Sequence, residues 1–459
     1  MKNKNVEMHL FILWENALFK KDYIINKIKE NFLIIDIQSI SWSKDSFSSN
    51  LSRFYGEKLL SGSKKEKHCG VGPFLSILIY DYNPVYEYRS TSKGTKLVNI
   101  NTFDAKQEFR NITGGGHKVH STNSILESKH DVMLLFGKPY EVIFNNNKNK
   151  IWKNKILKRD NNIIGYNGWE SFEQFFRTLN ETIDYVILRN FKDLKNSDDI
   201  DVLTTNLKEF IYISNAKKII TYRFMNRVQY KVKIDKIEYY IDIRSIGDNY
   251  YDGKWQKDII SNKVLNRQGF YIPSDVHYKY SLLYHYIAHK KMFFPHYFLQ
   301  LSGLFNNLKL NSLVRDLKKF MNENKYCFVS PRDLSIKINH SYIPISNSMK
   351  LYYLLRKIDM LKNNIYNNLK SLVWYAINYR SFKKLLELNE NIESLNVHNI
   401  KKWHDGSFHF TGFNTKYNSK VFIKTDFTLN LLNNEFKAFE ILYNDKRMPF
   451  KIPKIINNN

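Results

Sequence analysis

The stretch Tyr185–Asn206, YVILRNFKDLKNSDDIDVLTTN, constrains this chain more than any other. A β-branched apolar run, Val186-Ile187-Leu188, ends in a polar turn. Asp199-Ile200-Asp201 then opens a second apolar run at Val202-Leu203. On a strand, residues two apart share a face, so Asp199 and Asp201 point the same way. Two carboxylates there repel each other unless a cation lies between them, and a hard divalent ion with phosphate oxygens as its other ligands is the usual solution. Ser-Asp-Asp is also sound turn chemistry, so a solvated acidic turn is the alternative. A third carboxylate bears on the choice. Glu238–Ile243, EYYIDI, is strand-like and carries Asp242 near its end. An Asp inside an apolar strand is costly to bury without a partner. If that strand pairs beside the first, Asp242 completes a cluster of three.

These residues, over about 165–300, resemble the nucleotidyltransferase fold of the polymerase-β type. The resemblance implies that Asp199 and Asp201 hold magnesium (or manganese) and a nucleoside triphosphate such as ATP. It makes Asp242 the third ligand or the catalytic base. Where the family carries a Gly-Ser pair, this chain has Leu188-Arg189-Asn190, and Arg189 is expected to hold a phosphate instead.

A chain of 459 residues exceeds one ordinary core, which predicts two to four domains. The net charge of +27 favours polyanionic partners. The lysines are scattered among Asn-rich loops, however, and no clustered basic-aromatic motif stands out, so nucleic acid is not the favoured partner. The two cysteines, Cys69 and Cys327, form neither a disulfide framework nor a zinc spacing, as expected of a reducing cytoplasm. No apolar run reaches the length of a membrane span, and Met1–Met8 lacks a signal-peptide pattern. A soluble, cytoplasmic protein is expected.

In residues 1–145, strands are expected at His9–Trp14, Phe32–Ile40, Phe74–Tyr80 and Val85–Arg89. Helices are expected at Asp22–Asn31 and Glu127–Phe136. The alternation predicts an α/β sandwich of the ferredoxin-like kind. From His120 onward, HSTNSILESKHDVMLLF resembles nucleoside diphosphate kinase. The resemblance implies His120 as the phosphorylated histidine, oriented by Thr122 and Asp131, with Phe136 closing the helix. Tyr55 and Arg110 fall on its nucleotide-binding positions, and self-association through this domain is implied. Two positions depart from the family. Its Lys-Pro-Asp reads Trp14-Glu15-Asn16 here, and its Asn before the histidine is His117. Phosphoryl transfer needs positive charge around developing negative oxygens. Activity would therefore need Arg53, Lys118 or Arg110 as a substitute, and a histidine retained in a binding or scaffolding domain is expected. Gly114-Gly115-Gly116 suits an anion cradle.

Residues 146–163, polar and rich in Lys and Asn, read as a linker to a domain over 164–345. Phe172, Phe175, Phe176 and Leu179 have helical spacing, Leu207–Ile211 is a short helix, and Asp248 and Asp252 lie in turns. Ser274 is the expected N-cap of a long helix whose Tyr278, Leu282, His285 and His289 line one face, the histidines serving as core or pocket groups. Phe298–Met321 and Ser346–Leu386 read as helices, the latter within a connector over 346–400. Residues 401–459 resemble part of a protein-kinase N-lobe. Lys424 in Val421-Phe422-Ile423-Lys424 is implied to pair nucleotide phosphates, and Glu435 to pair with Lys424. A plain hairpin and helix is the alternative. No H-R-D or D-F-G follows, so a whole kinase is excluded on this chain.

The fold class expected is α/β multidomain (α+β). The function expected is metal-dependent nucleotidyl or phosphoryl transfer from a nucleoside triphosphate to a hydroxyl or phosphate acceptor. By analogy alone, the pathway is cell-surface polysaccharide chemistry. The alternative is a nucleotide-sensing regulator built from degenerate phosphotransferase folds.

Overall fold

The computed structural model describes residues 6–91, 94–148, 150–197, 199–222, 227–290, 300–333, 336, 338–339, 341–342, 354, 358, 361, 401–402, 408–414 and 419–425. The chain divides into two compact units, Met1–Ile345 and Ser346–Asn459.

The first unit opens with β1 (Glu7–Leu13), α1 (Lys21–Asn31), β2 (Leu33–Ile40), α2 (Lys44–Tyr55), α3 (Lys64–Cys69) and β3 (Phe74–Asp81). A hairpin, β4 (Tyr86–Thr91) and β5 (Gly94–Asn99), leads to α4 (Ile100–Ile112), β6 (Val119–Ser121), α5 (Ile125–Phe136), α6 (Tyr140–Asn146) and β7 (Leu157–Arg159). The main sheet runs β6-β1-β3-β2-β7. Its first four strands are antiparallel to their neighbours, which is the ferredoxin-like order, and β7 adds on parallel to β2. Strands β1 and β3 are buried along their whole length, including the polar Glu7, His9, Ser76 and Asp81. Trp14, Phe47, Phe54 and Phe74 pack on one face, and Phe11, Ile24, Ile28 and Phe109 on the other. The strand expected at Val85–Arg89 forms as β4, but it pairs only with β5, outside the main sheet.

The same unit continues through α7 (Phe172–Thr182), β8 (Tyr185–Ile187), β9 (Asp199–Thr204), α8 (Leu207–Ile213), β10 (Lys217–Tyr222), β11 (Arg227–Ile234) and β12 (Ile237–Ser245). Then come α9 (Gly253–Ser261), β13 (Val264–Leu265), β14 (Tyr271–Ile272), α10 (Asp275–His289) and α11 (Leu310–Glu323). The second sheet is ordered β10-β11-β12-β9-β8, with β9 and β12 parallel. Ser171 caps α7 by accepting the Gln174 N–H at 3.1 Å, and Phe175, Phe176 and Leu179 are buried as their spacing predicts. Ser274 is the N-cap of α10 by position, but its side chain makes no capping bond. Residues 300–302 are helical as expected, but the helix then breaks, and α11 runs separately from Leu310 to Glu323. Gly303 and the Asn306-Asn307 pair interrupt the pattern, and Asn307 Oδ1 accepts the Lys309 N–H at 2.9 Å.

One hydrophobic core runs without a break from Trp14 and Phe54 to Tyr185, Ile200 and Val202, so the two sheets share it. The segment read as a linker supplies β7, and Asn162 Oδ1 accepts from Ser46 Oγ and Asn50 Nδ2, both at 2.7 Å. In the second unit, β15 (Lys401–Lys402), β16 (Phe408–Asn414) and β17 (Ser419–Thr425) form an antiparallel sheet. The helices expected over 346–386 lie almost wholly outside the described residues. Among the described residues, no helix is long and apolar enough to cross a membrane.

Candidate functional site

The parallel pairing of β9 with β12 sets Asp242 directly opposite Asp201, and Tyr240 opposite Asp199. Cross-strand partners share a face, as do residues two apart, so the three carboxylates stand on the same side of the sheet. Asp201 is buried, while Asp199 and Asp242 are partly exposed. Burial pushes the Asp201 carboxyl up to about 6. Arg189 opposes that rise, and the charges of Asp199 and Asp242 add to it.

Two arginines meet this acidity. Arg189, just past the end of β8, donates from Nη2 to Asp201 Oδ1 at 2.5 Å. Arg244 lies two residues beyond Asp242 on β12, hence on its face. It donates from Nη2 to Asp242 Oδ2 at 2.6 Å and from Nη1 to Asp333 Oδ2 at 2.9 Å. Burial alone would lower the Arg244 pKa, but Asp242, Tyr250 and Asp333 hold it above its ordinary value. The Tyr250 ring lies under both guanidiniums, 4.6 Å from Arg244 and 5.7 Å from Arg189, a cation–π arrangement. Its hydroxyl is 2.7 Å from His285 Nδ1. His289 packs against Tyr250 with ring centroids 4.4 Å apart, and neither of its ring nitrogens has a hydrogen-bond partner among the described residues. Burial first, then Arg189 among the nearby cations, keeps His285 and His289 neutral.

Asp199, Asp201 and Asp242 offer the hard oxygens that magnesium prefers. As arranged, Asp201 and Asp242 each carry a guanidinium, and no three His, Cys, Asp or Glu side chains among the described residues gather round one point as metal ligands do. Sequence reasoning missed Arg244, Tyr250 and Asp333. Arg244 carried a signal, since D-I-R places it on the face of Asp242. Asp333 lies 89 residues from Arg244 and carried none.

The second candidate lies on β6. His120 Nε2 meets Asp131 Oδ2 at 2.6 Å, and His130 Nδ1 meets the other oxygen, Oδ1, at 2.8 Å. Burial raises the Asp131 carboxyl, but His120 and then His130 outweigh it and hold it below the usual range. If His120 donates from Nε2, its lone pair sits on Nδ1. Phe54 and Tyr55 wall the imidazole edge-on, with centroids at 5.5 and 5.8 Å. Lys65 Nζ stands 3.6 Å from the Tyr55 ring centroid. Arg110 donates from Nε to Val119 O at 2.9 Å, beside His120 in the chain.

Other expected members of this site sit elsewhere. The Thr122 hydroxyl, one residue past the end of β6, turns into a buried network with His9 and Ser128. Arg53 points out of the pocket and donates to the carbonyls of Ile164, Tyr212 and Ile213. Lys118 is turned onto Thr113 O. Glu15, where the family carries its Pro, accepts the Val71 and Gly72 N–H groups on Oε2 at 2.8 and 2.7 Å. The Gly114–Gly116 run is left-handed throughout, with φ of 82°, 78° and 77°, which only glycine adopts freely. In the second unit Lys424 lies on β17 opposite His409, and Glu435 lies outside the described residues.

No family model matches the chain, and no curated protein does. Among solved structures it is similar to an orthorhombic crystal form of the Aquifex aeolicus nucleoside diphosphate kinase. The identity is 14%, the match covers 28% of this chain and 92% of that one, and the TM-score is 0.19.

Proposed function

We propose that this chain is a nucleotidyl- or phosphoryl-transferase acting from a nucleoside triphosphate at the carboxylate–arginine cluster of the second sheet. The observation that supports it most is the register that sets Asp201 opposite Asp242, with Asp199 two residues along the same face. Arg189 and Arg244 are the groups that would take the phosphate oxygens, exchanging a carboxylate for a phosphate partner. Once Arg189 and Arg244 had left Asp201 and Asp242 for phosphate, Asp199, Asp201 and Asp242 would be the residues to hold magnesium, which supplies charge neutralisation when bound. Asp242, the more accessible carboxylate of the facing pair, would take a proton from the acceptor hydroxyl.

A second reading, a nucleotide-sensing regulator, is favoured by one observation in the first sheet. Glu15 stands in the stretch where the resembled family carries its phosphate-binding lysine, and its carboxylate already occupies two backbone N–H groups. Turnover of labelled nucleoside triphosphate in magnesium separates the readings. A transferase loses about a hundredfold or more on Asp201→Ala, as when one transition-state electrostatic contact is removed. Nucleotide binding without turnover, unchanged by Asp199→Ala, selects the sensor.

A further inference from the structure

The segment between α6 and the end of β7 is a basic, aliphatic surface that the transfer reaction does not use. From Asn147 to Arg159 the chain carries Lys148, Lys150, Lys153, Lys155, Lys158 and Arg159 and no Asp or Glu. Residues 153–158 are exposed without a break. Aliphatic side chains stand among the lysines, with Ile151 at 68%, Leu157 at 44% and Ile156 at 37% exposure. Lys148, Lys150, Ile151 and Lys153 border a shallow groove of about 410 Å³. The segment is anchored at its middle and at its C-terminal end. The Trp152 N–H donates to Ile34 O at 3.2 Å, and β7 pairs with β2.

We infer that this surface adsorbs the chain to an anionic phospholipid membrane, with lysines on the headgroups and Ile151, Ile156 and Leu157 entering the interface. Clustered lysines bind anionic lipid additively, and neighbouring apolar side chains add shallow insertion. Single-stranded nucleic acid is recognised instead through free aromatic faces and arginine forks. Neither is presented here. The Trp152 ring is covered by Lys29 Nζ at 5.0 Å, and its Nε1–H donates to Lys155 O at 2.8 Å. Arg159 is held over the Phe136 ring at 5.7 Å.

The test is co-sedimentation of the full chain with vesicles of phosphatidylcholine, with and without phosphatidylglycerol. It needs no enzymatic activity, so its outcome is independent of the transferase reading. Binding is expected only to the anionic vesicles. The combined variant Lys150→Gln, Lys153→Gln, Lys155→Gln and Lys158→Gln, all exposed positions, should lose about a hundredfold or more in partitioning. Ile151→Ser should lose less. A control variant with Lys58, Lys257, Lys318 and Lys319 changed to Gln removes the same charge elsewhere and should bind as the parent does. An equal loss in the control, no binding to anionic vesicles, or tighter binding to a single-stranded oligonucleotide would each overturn the proposal.

Discussion

Two buried aspartates carry opposite signs in the energetics of this chain. Asp201 titrates near 6 when folded, above the ordinary 3.8. The folded state therefore holds its proton more firmly, and this contribution to stability is full below about pH 4 and lost as the pH rises through about 6. Asp131 is depressed, so its contribution is present above the ordinary carboxylate range and lost as the pH falls through the folded value. Urea unfolding across this range should show Asp201→Asn flattening the slope between pH 4 and 6. Asp131→Asn should cost about 1–3 kcal/mol at neutral pH and progressively less in acid. Slopes parallel to the parent's in both variants would contradict the two assignments. Gly116 makes a simpler case. A Cβ there would lie 2.6 Å from His68 Nδ1, at a φ of 77°. Gly116→Ala should therefore lower the thermal midpoint, by about 1–2 kcal/mol of stability.

Among the elements, α2 and α8 meet through one buried cation. Arg53 lies on α2 and is almost fully buried, which pushes its pKa down to about 9. It has no carboxylate partner among the described residues. Its guanidinium instead donates to Tyr212 and Ile213 carbonyls at the C-terminal end of α8, at 3.2 and 3.1 Å, and to Ile164 O at 2.6 Å. The last carbonyls of a helix are unsatisfied and carry its negative dipole end, so they suit a cation. Gly56, the left-handed C-cap of α2, lets α8 approach closely, since a Cβ would meet Glu209 Cγ at 2.9 Å. Arg53→Met keeps the stem but strands these carbonyls. It should lower stability by about 3 kcal/mol in denaturant titration, and a change below about 0.5 kcal/mol would show that solvent satisfies the carbonyls instead.

At the scale of the molecule, the shared core makes the two sheets one cooperative body. Heating a fragment covering residues 1–345, one compact unit, should give a single calorimetric transition. A fragment ending at 145 loses β7, α7 and α8 from its surface and should unfold at a lower temperature or fail to fold. Two separate transitions in the longer fragment would show that the sheets fold independently.

Much of the local structure was legible from side-chain periodicity. The largely apolar runs of β1 and β3, the helical stripe of α7 and the D-I-D strand are short-range patterns set by backbone geometry. The same holds for the shared face of Asp199 and Asp201. That Asp242 stands across from Asp201 was a condition the sequence posed and could not answer, because register between strands some forty residues apart depends on the crossover through α8, β10 and β11. Arg53 and Thr122 were legible as polar groups near the His120 stretch, but their direction was not. Arg53 turned toward carbonyls distant in the chain, and Thr122 toward the distant His9 as well as the nearby Ser128. Sequence by itself settled which residues carry charge and which faces are apolar. Only the tertiary structure decided which charges meet, since the cost of an unpaired buried group is felt only where packing removes the water.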